Sequence, residues 1–173
     1  MTLTSIRRLS LTVLLLVTGP AAFAGQPVWR LSLHGVGPVR FGMSVEQAAA
    51  AAGGLDELYE RDGDCYFVEP RRGPEGLSLM IVAGRVVRAD VDSRHVRTLS
   101  HVGVGDSEEQ VVDTYPGKIR ITDHAYVAGH YLYFVPADAA DQGFGLVFES
   151  DGSRVTGMRA GLLPQAHWVE GCS

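Results

Sequence analysis

A six-residue segment occurs twice in this chain. Gly42-Met43-Ser44-Val45-Glu46-Gln47 is matched by Gly105-Asp106-Ser107-Glu108-Glu109-Gln110. Tyr66-Phe67-Val68 then recurs as Tyr133-Phe134-Val135, Gly76-Leu77-Ser78-Leu79 as Gly143-Phe144-Gly145-Leu146, and Gly84-Arg85-Val86-Val87 as Gly152-Ser153-Arg154-Val155. The offset is 63 residues at the first match, 67 at the next two and 68 at the last. Chance similarity rarely keeps such an order, so the sequence predicts two copies of one unit, about 30–95 and 96–173, within a single domain of residues 25–173.

Local signals give each copy the same content. Ser44 is placed to cap a helix, with Gln47 reaching back three residues later; Ser107 and Gln110 repeat the arrangement. Ala48 to Ala52 has high helix propensity, and Gly53-Gly54 ends the run, as Pro116-Gly117 does in the second copy. Period-two alternation over Leu77–Val82 and Phe144–Glu149 predicts strands, and Ala83-Gly84 and Asp151-Gly152 predict hairpin turns after them. Further strands are expected around Tyr66–Val68 and His130–Val135. The expected fold is therefore α+β: two tandem helix-plus-antiparallel-sheet repeats, sheets side by side, helices on one face.

The alternation also sorts side chains. Phe67, Leu77, Leu79 and Ile81, with Phe134, Phe144, Leu146 and Phe148, are assigned to the helix-covered face. The open face is then expected to show Tyr66, Met80, Arg88, Asp90, Tyr131 and Tyr133, with Met158 beside them. Tyrosine, methionine and arginine are enriched at recognition surfaces, so these six form the candidate partner-binding set. The plainer alternative is that tyrosines simply suit a sheet face.

Compartment follows from the two ends of the chain. Arg7 and Arg8, the apolar run Leu9–Val17 and the small-residue pattern Ala22-Phe23-Ala24 predict a signal peptide over residues 1–24. That run is too short for a stable membrane anchor. About 149 residues would remain, with 13 basic against 20 acidic side chains, a net charge of −7. Such a balance argues against nucleic acid or anionic lipid as partner. A periplasmic or secreted location would favour a disulfide between the only cysteines, Cys65 and Cys172. The alternative is two free thiols or a metal pair.

The segment Gly42-Met43-Ser44, Glu46-Gln47 and Gly53-Gly54 resembles the opening helix of small outer-membrane-assembly lipoproteins of the SmpA/OmlA type. Two such units in one exported chain resemble the beta-lactamase inhibitory proteins, whose sheets together form a concave face that grips a target enzyme. The resemblance spans about Val36 to Gly161. It implies a non-enzymatic protein-binding module, an inhibitor or immunity-type protein directed at another envelope or secreted protein. The chain departs from both families, lacking a lipidation cysteine and local bridges within each repeat.

No set of residues spells out catalysis. Gly105-Asp106-Ser107 matches the nucleophile motif of one esterase family, and a hydrolase would pair Ser107 with His124 or His130. Yet Ser107 corresponds to Ser44, and helix capping explains both serines. His124 and His130, with Asp123, lack the usual zinc spacings, so neither metal nor cofactor is expected. Asp90 and Asp92 share a sheet face. They would suit acid–base work inside a cleft and would be solubilising charges on an open surface.

Overall fold

The computed structural model describes residues 28–58 and 63–172. The predicted signal peptide lies outside them. The two capping serines start the two α-helices. Ser44 accepts from the Gln47 N–H, and the Gln47 side chain accepts from the Ser44 N–H, closing the capping box of α1, Val45–Ala52. Gly53, in the left-handed conformation at φ 75°, ends it. Ser107 caps α2, Glu108–Thr114, through the Gln110 N–H.

Everything else of regular length is strand. β1 (Arg30–Ser32), β2 (Gly35–Val36), β3 (Val39–Arg40) and β8 (Arg97–Thr98) form a four-stranded sheet in the order β3-β2-β1-β8, with β1 and β8 parallel. The remaining strands are β4 (Leu55–Glu57), β5 (Cys65–Pro70), β6 (Leu77–Val82), β7 (Arg85–Val91), β9 (Ile119–Asp123), β10 (His130–Phe134), β11 (Phe144–Ser150) and β12 (Val155–Leu162). They build an eight-stranded antiparallel sheet ordered β4-β5-β6-β7-β12-β11-β10-β9. Its seam is β7 against β12, from Met158 opposite Val91 to Gly161 opposite Arg88.

This architecture overturns the expected α+β fold of tandem repeats with helices on one face. The chain is mostly β, and its helices have only eight and seven residues. At 1.5 Å per residue each is roughly 12 Å long, whereas eight strands at about 4.8 Å span roughly 34 Å. Two such helices cannot cover the sheet. The four-stranded sheet contributes the rest of the cover: Leu31, Val36 and Val39 join Ala48, Ala52 and Val111 in one core with the long sheet.

One row of paired residues shows how that core is made. Val68, Leu79, Ala89, Ala160, Leu146, Phe134 and Ile119 lie opposite one another across seven strands, and all are apolar. The pairing of Tyr66 with Ile81 puts Tyr66 on this same face, where it is 9% exposed. Phe67 therefore points the other way. The expected assignment of these two neighbours is reversed, and Met158, at 3% exposure, also belongs to the core. The physical reason is alternation from Cys65: its sulfur must reach Cys172 on the opposite face, so Phe67 follows Cys65 and Tyr66 turns inward.

Candidate functional site

The second face of the long sheet is not open, because the chain's own C-terminal segment crosses it. After β12 the backbone makes a 3-10 turn, Gln165–His167, and runs on to the Cys65–Cys172 disulfide. Gly145 clears its path: a Cβ there would lie 3.0 Å from Ala166 Cβ and from His167 Nε2. Two buried arginines hold the segment. Arg88 Nη1 donates to the carbonyls of Gln165 (3.1 Å) and Trp168 (3.0 Å), and Arg159 Nε donates to Ala166 O (2.9 Å). Tyr126 on the β9–β10 loop donates to Glu170.

The part of this face left uncovered is a cleft of about 380 Å³. β5, β6, β7, β12 and β11 supply its floor, and Leu58 and Gly171 stand at its rim. Register explains why charges gather there. Ser78 opposes Asp90, and Asp90 opposes Arg159. Arg88 lies two residues before Asp90 on the same face, and its Nε donates to Asp90 Oδ2 at 2.8 Å. Arg159 pairs with Glu149, and its guanidinium also lies over the Tyr131 ring, 5.5 Å from the centroid. Arg88 and Arg159 are each 4% exposed. Charges this deeply set persist only where partners surround them.

Asp90 lines the cleft and keeps part of its side chain exposed. Desolvation by the surrounding protein pushes its carboxyl above the usual value of 3.8, and Asp92 adds to the shift; the charges of Arg88 and Arg159 and the Arg88 hydrogen bond oppose it without prevailing. Burial likewise lowers the Arg159 guanidinium, with Arg88 adding like-charge repulsion.

The six candidate binding residues separate. Arg88 and Asp90 line the cleft. Tyr133 is half-buried under the tail, edge-on to His167 at 5.0 Å. Tyr66, Met80 and Tyr131 are buried. Asp92, noted in sequence only as a carboxylate sharing a face with Asp90, lines the cleft with it. Phe67, Glu69, Glu149 and Arg159 were missed. The one usable signal was the distance between the cysteines, since a bridge to Cys65 obliges the chain after β12 to cross this face.

Ser107 is committed to its helix. Its oxygen accepts the Gln110 N–H at 3.1 Å, and neither candidate histidine hydrogen-bonds to it. His130 Nδ1 and Ser150 Oγ both bind Glu108 Oε1. Burial pushes Glu108 up, but these hydrogen bonds and the His130 charge outweigh it and hold the carboxyl below its usual range. His124 stacks on Tyr131 at 4.3 Å, and its Nδ1 accepts the Tyr126 N–H at 3.1 Å. Among the described residues no group of three or more His, Cys, Asp or Glu is arranged to hold a metal ion.

No family model matches the chain, and no curated protein does. Among solved structures it is similar to the uncharacterized protein yfeY from Escherichia coli. The identity is 14%, the likeness covers 76% of this chain and 99% of that one, and the TM-score is 0.50. At that identity the likeness shows the fold alone. An extracellular protein containing an SCP domain, from Bacillus anthracis, is also 14% identical, with 71% of this chain and 44% of that chain covered at a TM-score of 0.40.

Proposed function

We propose that this protein is an exported, non-enzymatic module that binds another envelope or secreted protein, as an inhibitor or immunity-type factor, and that it does so through the cleft on the long sheet. The observation carrying this reading is the cleft itself: a concavity with an aromatic wall at Phe67 and ionisable groups on its floor, bounded by a tail that a disulfide ties down. A periplasmic or secreted location suits that disulfide. Among the described residues no helix is long and apolar enough to cross a membrane.

The alternative of a Ser107 hydrolase has little support. The serine oxygen serves the helix start, and no described histidine is bonded to it. An envelope scaffold would differ only in the identity of the partner.

Affinity capture from periplasmic and culture fractions, comparing wild type with Phe67→Ala, tests the reading. Phe67 is only partly buried and lies outside the core, so the variant is expected to fold. A partner enriched by wild type should be lost. Equal capture by a folded Phe67→Ala protein would remove the cleft from consideration, and ester turnover abolished by Ser107→Ala would instead revive the hydrolase.

A further inference from the structure

A second surface, separate from the cleft, lies at the β9 end of the long sheet. β9 is last in the strand order and pairs with β10 alone. Its residues, Ile119-Arg120-Ile121-Thr122-Asp123, include three β-branched side chains and neither proline nor glycine, and its register against β10 runs through all five without a bulge. Two bonds fix the direction of its backbone groups. Val135 N–H donates to Lys118 O at 2.7 Å, and His124 N–H donates to Gly129 O at 2.8 Å. Alternation then turns the backbone groups of Arg120 and Thr122 toward β10 and those of Ile119, Ile121 and Asp123 outward. Among the described residues nothing hydrogen-bonds to these outward groups. The opposite end of the sheet is blunted: β4 has three residues, two of them acidic.

Side chains on the two faces of β9 narrow what can join it. Ile121 sits opposite buried Leu132, yet it is itself 47% exposed. Arg120 lies over the Tyr133 ring, 5.2 Å from the centroid, and Lys118 lies 5.8 Å from that of Phe134. These rings fix where the two cations stand, but among the described residues no carboxylate pairs with either. An unpaired edge admits an extended backbone, and the side chains decide which one. A second copy fits poorly. Pairing about a two-fold centred on Ile121, the register that uses the whole strand, sets Arg120 diagonal to its own twin and Lys118 opposite His124, while Asp123 falls on the other face. We infer that β9 accepts an extended segment of another polypeptide, added antiparallel as in the rest of the sheet, with a carboxylate side chain against Arg120 and apolar neighbours against Ile119 and Ile121.

Amide chemical-shift titration of the disulfide-bonded protein tests this with the acetylated, amidated peptide Thr-Val-Glu-Val-Thr. The controls are Thr-Val-Lys-Val-Thr and the glutamate peptide N-methylated at both valines. The glutamate peptide should shift Ile119, Ile121 and Asp123, slow exchange of their N–H groups, and bind about fivefold more tightly than the lysine peptide, a ratio equal to about 1 kcal/mol. The methylated peptide should not bind. Arg120→Glu should reverse the order of the two unmethylated peptides. Ile121→Pro removes an outward N–H and no bond to β10, so it should abolish binding by a folded protein; if that variant fails to fold, the methylated peptide decides the same point. Equal binding of the glutamate and lysine peptides, binding by the methylated one, or no shifts at β9 would each overturn the inference. Shifts at β9 that grow with the protein's own concentration, without peptide, would assign the edge to a second copy and overturn it too.

Discussion

Removing both sulfurs by Cys65→Ala/Cys172→Ala perturbs the tail that shapes the cleft, and its magnitude can be worked out. The bridge spans a sequence separation of 107 residues. The chain-entropy treatment gives about 4.7 kcal/mol for a loop of that order, an upper figure because real denatured chains retain structure. The tail keeps other attachments in the variant: three hydrogen bonds from Arg88 and Arg159, the side-chain bond from Tyr126 to Glu170, and the Leu163 N–H to Gly143 O bond at 2.9 Å. The expected loss is therefore about 3–4 kcal/mol without loss of the fold. At roughly 2–4 °C per kcal/mol for a domain of this size, the melting temperature should drop by about 6–16 °C. Urea unfolding followed by tryptophan fluorescence reads the loss, and amide exchange in the folded variant reads the tail. Residues 163–168 should stay partly protected while 169–172 exchange freely. A stability change under about 1 kcal/mol would refute the entropic argument. Full exchange of 163–168 in an otherwise protected protein would show that the two arginines do not hold the segment.

Two more predictions concern the frame around the site. Burial pushes Asp106 up, but the Arg97 hydrogen bond, the Gly103 N–H at 2.9 Å and the charges of Arg97 and Arg154 outweigh it and hold its carboxyl below 3.8. A lowered folded-state value means stability present above 3.8 and lost as pH falls through the lowered value, so Asp106→Asn should flatten the acid limb of the melting curve by about 1 kcal/mol; an unaltered limb would count against the ion pair. At the β7–β12 seam, a Cβ on Gly161 would lie 2.3 Å from Val87 O and 2.7 Å from Arg88 Cα. Gly161→Val should therefore lower the urea midpoint by an amount worth about 2–3 kcal/mol, and an unchanged midpoint would contradict this close strand approach.

The sequence made some of this legible and left the rest hidden for identifiable reasons. Helix starts were readable because Ser44 and Ser107 carry their bonding partner three residues on. The turns at Ala83-Gly84 and Asp151-Gly152 were readable because positive φ at Gly84 and Gly152 has a compositional signature. The disulfide followed from there being two cysteines. The four-stranded sheet escaped notice because its strands have two or three residues, too few to display a period. Tyr66 and Phe67 exchanged faces because Tyr66-Phe67-Val68 is apolar throughout, and alternation cannot be phased from such a run. The cleft was missed because its floor depends on register between distant strands: nothing local places Asp90 opposite Arg159.

The tail also decides how the protein can be handled. Gly171 sits against Phe67 at the rim of the cleft, one residue before the cysteine that fixes the chain's direction. A polypeptide fused after that cysteine would therefore begin two residues from the rim of the concavity. A purification tag or fluorescent reporter is better attached in the exposed Gly117 turn, which does not line the cleft.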